Sequence, residues 1–181
     1  SVGALPTRGF SSGNFELVDD ISGDSFHDLL LARGKPSNTT HACMAGCIIR
    51  SSNIFGDENG CEIVAPLEYE TIGLVGSNLG LNNFDDIGKI NRAANDIGVD
   101  TIELGAALGV AAEAGLMAFG DGKRALELVE EIRDGSALGR VIGSGAGMTG
   151  KVFGVRRVPV VKNQALPAYK RIHRIVVAER A

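Results

Sequence analysis

Tryptophan is absent from this 181-residue chain, and aromatic residues make up only 5 % of it. Large rings can therefore supply only a small share of the core. The apolar 44 % has to pack as Ala, Leu, Ile and Val among 25 glycines, a composition that lets backbones approach closely or line the walls around a large cofactor. Cysteine is scarce as well. Three is an odd number, which fits poorly with a secreted disulfide framework, so a reducing cytoplasm is expected. Ser1–Phe15 lacks the basic and apolar regions of a signal peptide. No apolar run reaches the ~20 residues that span a bilayer, since Leu104–Phe119 is interrupted by Glu113 and several glycines. Net positive charge is missing too: at −4 the chain does not read as a general nucleic-acid binder. Basic residues nevertheless crowd the stretch from Arg156 to Arg180, which reads as a solvated tail or partner-facing surface rather than a phosphate site.

What is present reads as mainly α, in three stretches: a loop-rich 1–65 with one short helix, a helical 66–155, and a basic tail 156–181. Ser22 can cap a helix through about Ala32, with Phe26, Leu29 and Leu30 on one face; Arg33–Thr40 ends it, and Cys43 to Ala65 is expected to be loop. Pro66 or Leu67 opens a helical segment to about Val75. Asn83 caps a helix with Asp85 and Asp86 in its first turn, ended by Gly98. Asp100 caps the next, an Ala-rich helix to about Met117, with Glu103 placed for a box-like return contact. Lys123–Arg133 is amphipathic, Ala137–Thr149 is ambiguous because each of its glycines weakens a helix by ~1 kcal/mol, and Val158–Val161 is strand-like.

Four constellations are candidates for chemistry. Cys43 and Cys47 form Cys-x-x-x-Cys, to which Cys61 and His41 could add third and fourth ligands; spacing alone leaves structural thiols and metal ligation equally open. Gly145-Ala146-Gly147-Met148-Thr149-Gly150-Lys151 approaches a phosphate loop, but Val152 stands where the metal-binding hydroxyl belongs and no strand precedes it, so close packing is the better reading. Glu68-Tyr69-Glu70 suits a helix N-terminus, and one carboxylate facing a cofactor is the functional alternative. In Asn95-Asp96-Ile97-Gly98-Val99-Asp100, a positive φ at Gly98 and a cap at Asp100 explain the segment without a ligand; the alternative is a junction presented to a polar cofactor.

Taken in order, Gly3-Ala4-Leu5-Pro6-Thr7-Arg8, Ile21-Ser22-Gly23, Cys43-x-x-x-Cys47, Leu67-Glu68-Tyr69-Glu70-Thr71, Asn95–Thr101 and Val158-Pro159-Val160-Val161-Lys162 to Leu166-Pro167-Ala168-Tyr169 resemble the middle of the tungsten-dependent aldehyde:ferredoxin oxidoreductase family, over about residues 1–169. The resemblance implies the helical second and third domains of that family. It further implies a tungsten (or molybdenum) bis-pterin cofactor, a [4Fe–4S] cluster, aldehydes as substrates and ferredoxin as electron acceptor. It makes Cys43 and Cys47 the second and third cysteines of the family's cluster motif. Glu70 becomes the glutamate near the metal, a proton acceptor or water positioner. Asn95, Gly98, Val99 and Asp100 match the D-x-x-G-L-D segment that contacts the pterin.

Departures from the family pattern limit that expectation. Thr40 stands at the first cluster cysteine, and a neutral hydroxyl is a poor iron ligand. The family's fourth cysteine, second pterin segment and N-terminal pterin domain have no counterpart in this sequence, and the match breaks at Lys170-Arg171-Ile172. Two functions of different classes follow: an oxidoreductase segment that needs the other domains of its parent enzyme, or a binding or structural module that kept the fold without the redox site. Homo-oligomers fit either.

Overall fold

The computed structural model describes residues 5–33, 38–41, 45–50 and 66–168. Helix α4 (Thr101–Glu113) runs through the centre, and every residue from Leu104 to Ala112 is buried. A helix apolar on all sides has to be enclosed, and its neighbours are α3 (Phe84–Ile97), α6 (Ala137–Gly143), α7 (Ala146–Phe153) and the helical segment Tyr69–Leu79. α5 (Gly122–Asp134) packs outside, against α3 and α6. The alanines and glycines of α4 bring backbones together: a Cβ on Gly105 would lie 2.6 Å from the Leu74 carbonyl oxygen, and one on Gly109 2.8 Å from Asn78 Nδ2.

Local chemistry sets the helix ends. Ser22, Asn83, Asp100, Asp121 and Ser136 each accept a hydrogen bond from the backbone three residues on, and Gly98, Gly135 and Gly154 close helices in the left-handed region. α1 (Gly23–Ala32) buries Phe26 and Leu30 and packs the Phe26 ring against Phe84 at a tilt of 53°, 4.8 Å between centroids. The N-terminal turn is stitched onto the same core. Gly9 N donates to Asn78 O, Phe10 N donates to Asn78 Oδ1, and Asn78 Nδ2 donates to Gly105 O. A single apolar cluster runs from Phe15 to Ala168.

Several expectations need correction. Residues 38–50 are not simply loop: β1 (Asn38–His41) and β2 (Ala45–Arg50) pair antiparallel, with a register shift between Thr40 and His41. Pro66 does not open a helix either. β3 (Pro66–Glu68) pairs with β2, and helix begins only at α2 (Tyr69–Thr71), continuing as a π-helical turn Ile72–Gly76 and a 3-10 turn Ser77–Leu79. Sheet pairing is a non-local contact that outweighs the local start signal at Pro66. Ala137–Thr149 divides into α6 and the start of α7, and the strand near Val158 shrinks to β4 (Val160–Val161), paired with β5 (Gln164–Ala165). The Ala-rich helix stops at Glu113, short of Met117, with Gly115 left-handed just after it.

Candidate functional site

The junction between α3 and α4 is built from two caps. Gly98 N and Val99 N donate back to Asn95 O and Ala94 O, at 3.2 and 3.0 Å. This closes α3 with Gly98 at φ +76. Asp100 then opens α4, its Oδ2 accepting from Glu103 N at 2.8 Å. Asn95, Gly98 and Asp100 are exposed, while Val99 is half-buried against the core. Capping therefore accounts for the backbone of this segment, and it leaves polar side chains displayed at the surface.

Glu70 lies in the short α2 turn that follows β3. Its Oε2 accepts from Ala168 N at 2.6 Å, so the Leu166–Ala168 stretch is docked over it. Gly73 makes that approach possible, because a Cβ there would come within 2.6 Å of the Ala168 Cβ. The neighbouring Tyr69 phenol is pushed above its ordinary pKa, chiefly by burial and secondly by the Glu70 carboxylate. Thr71, buried, shares a 2.9 Å hydrogen bond with Thr101 across the hydroxyls. That bond joins the residue after Glu70 to the residue after Asp100, so the two segments lie side by side.

The space beside the junction, about 180 Å³, is walled by Val99, Asp100, Glu103, Leu104, Ile132 and Ile142, and Glu70 is not among the residues that line it. Glu103 is the group that sequence reasoning misplaced. Its carboxylate makes no return contact to the Asp100 cap. Oε1 accepts from Ala146 N and Oε2 from Ala165 N, both at 2.8 Å, clasping α7 and β5 to α4. The partners lie 43 and 62 residues away, beyond the reach of a local pattern.

The Gly145–Lys151 stretch is a packing device, as its missing hydroxyl suggests. A Cβ at Gly145 would press on Glu103 Oε1, one at Gly147 on Asn163 and one at Gly150 on Val158. Of the cysteine motif, Cys43 and Cys61 lie outside the described residues, as does the greater part of the 43–65 stretch. Cys47 falls in β2 beside the register shift, across from the Thr40–His41 step of β1. Among the described residues no group of three or more His, Cys, Asp or Glu is placed to hold a metal ion, and no helix is long and apolar enough to cross a membrane.

A mainly helical domain with a pair of short segments apposed across a threonine–threonine bond is the class this geometry defines. A family model for domains 2 and 3 of aldehyde ferredoxin oxidoreductase matches residues 1–177, and the chain belongs to that family. It is similar to the tungsten-containing aldehyde ferredoxin oxidoreductases of Pyrococcus abyssi and Pyrococcus horikoshii, with 30 % identity over 92 % of this chain and 29 % of each relative. The enzyme of the same name from Thermococcus kodakarensis is 34 % identical over 61 % of this chain and 17 % of its own length. The chain thus spans less than a third of the length of the curated relatives it matches.

Proposed function

We propose that this chain is the helical portion of an oxidoreductase that converts aldehydes to carboxylic acids, with a tungsten or molybdenum bis-pterin cofactor at the α3–α4 junction and ferredoxin as acceptor. The observation that carries this reading is the Thr71–Thr101 hydrogen bond, which holds the Glu70 turn against the Asn95–Asp100 junction. The residues suit a pterin. Asp100 presents an exposed carboxylate suited to the N–H edge of a heterocycle, next to a cavity with apolar walls from Val99, Leu104, Ile132 and Ile142. Asn95 and Gly98 offer an amide side chain and an uncrowded backbone, since nothing lies within 4 Å of a Cβ built at Gly98. When bound, the metal–pterin supplies the two-electron acceptor. This chain contributes the groups that orient it, and Glu70 as the carboxylate that takes a proton or positions water.

The cluster is served less well. Cys43 and Cys47 provide two thiolates where four ligands are usual, and Thr40 stands in the strand that pairs with β2. A second reading, a scaffold without redox chemistry, is favoured by the carboxylates themselves: Glu70 and Glu103 both accept hydrogen bonds from backbone amides that fasten later segments to the fold.

Anaerobic purification with iron and sulfide analysis separates the two. The chain alone is expected to hold less than one [4Fe–4S] cluster, and Thr40→Cys to raise the iron content and the visible absorbance. Four irons and four sulfides per wild-type monomer would contradict the ligand assignment. A Thr40→Cys protein as colourless as wild type would favour the scaffold.

A further inference from the structure

Exposed large apolar side chains fall, apart from Tyr69, into two groups among the described residues. Leu17, Val18 and Leu31 (58 % exposed) belong to the 3-10 turn Val18–Ile21 and α1. Met148, Val152 (52 % exposed), Phe153 and Val161 belong to α7 and the β4–β5 hairpin. Each group lies in a stretch of sequence whose charges are of one sign. From Glu16 to Ala32 there are five acids and no Lys or Arg. From Gly135 to Ala168 there are Arg140, Lys151, Arg156, Arg157 and Lys162 and no acid.

Helical spacing sets part of each group on one face. On α1, Asp24, Asp28 and Leu31 recur at i, i+4 and i+7, opposite the buried Phe26 and Leu30. On α7, Met148, Lys151 and Val152 recur at i, i+3 and i+4. The hairpin tip extends that face, because Asn163 sits against Gly147 and brings Val161 and Lys162 alongside. Glu16 is paired with Arg8 and Arg157 with Glu113, so neither counts as available charge. Asp19, Asp24, Asp28, Lys151, Arg156 and Lys162 make no ion pair among the described residues.

We propose that the acidic apolar face of α1 docks on the basic apolar face of α7 and β4 in a second copy of this chain. Opposite fields give recognition and register, and the apolar side chains on both faces lose water when they meet. The overall charge of −4 disfavours a polyanion or an anionic membrane as the occupant of the basic face, whereas the α1 face is a local complement that every copy carries. The contact is heterologous, so growth is not capped at a dimer unless the rotation closes a ring.

Sedimentation velocity on the full chain over a concentration series tests this. The weight-average mass is expected to rise with concentration at about 50 mM salt and to stop rising at about 1 M, where the screening length falls to roughly 3 Å. Asp24→Lys with Asp28→Lys, or Lys151→Glu with Lys162→Glu, should each abolish the rise, and mixing these two variants should restore it. The variant carrying all four changes should associate as wild type does, which excludes misfolding as the cause of the losses. A chain that is monomeric at every concentration and salt overturns the proposal. So does association that survives either reversal, or a mixture that stays monomeric.

Discussion

Gly105→Ala is expected to destabilise the chain by about 2–3 kcal/mol, although the same exchange in an unconstrained helix stabilises it by roughly 1 kcal/mol. The reversal of sign comes from one contact. Gly105 sits on α4 where the π-helical turn Ile72–Gly76 crosses, and a methyl group there would meet the Leu74 carbonyl oxygen at 2.6 Å and its Cβ at 2.8 Å. Leu74 is fully buried, so the strain has no outlet to the surface. The Gly105 carbonyl is also held by Asn78 Nδ2, which limits a compensating rotation of α4. Gly139→Ala should behave alike, because its Cβ would overlap the Glu131 backbone at the α5–α6 corner. Gly23→Ala is the control: nothing lies within 4 Å of its Cβ, and no loss is expected. Urea unfolding of the three variants reads this directly. A midpoint for Gly105→Ala equal to or above wild type would show that α4 and the Tyr69–Leu79 segment are not packed as described.

The second large effect belongs to Glu103. Removing its carboxylate with Glu103→Ala leaves Ala146 N and Ala165 N without their acceptor, and breaks two charge-assisted bonds. Because Glu103 is only half-buried, water recovers part of the loss, and about 2–3 kcal/mol is expected. Glu103→Gln keeps one acceptor oxygen and should fall between the two. The specific readout is hydrogen exchange. Protection at the amides of Ala146 and Ala165 should drop while that of the α3 and α5 interiors is retained. Uniform loss across the chain would mean that Glu103 supports the whole core rather than clasping α7 and β5.

Much of the helical architecture was legible from single residues, because caps and glycine stops act within one turn. Ser22, Asn83, Gly98 and Asp100 each do what their types suggest. Ala137–Thr149 resisted for the opposite reason. Its glycines lower helix propensity locally, yet Gly139 and Gly143 are there so that α6 can lie against Glu131 and Ile132 of α5. The β1–β2–β3 sheet was invisible for lack of any local pattern that outweighed the turn residues around it, and β3 pairs with β2 from the far side of residues 51–65. Of the candidate site, the residue types at Glu70 and at Asn95–Asp100 pointed to two segments that the structure sets side by side. The bond that joins them, and the turning of Glu103 toward Ala146 and Ala165, depend on long-range placement and left no trace in spacing.

In the proposed function the α3–α4 junction holds a pterin, with the Glu70 turn fastened beside it through Thr71 and Thr101. Titrating 6-hydroxymethylpterin into the isotopically labelled chain and following its amide resonances tests it most directly. Saturable shifts are expected at Asn95–Thr101, with smaller ones at Tyr69–Thr71 carried through the Thr71–Thr101 bond. Asp100→Asn should weaken binding, and Thr71→Val should remove the second set of shifts but keep the first. Shifts confined to helices away from the junction, or none at pterin concentrations that saturate other pterin-binding proteins, would contradict it.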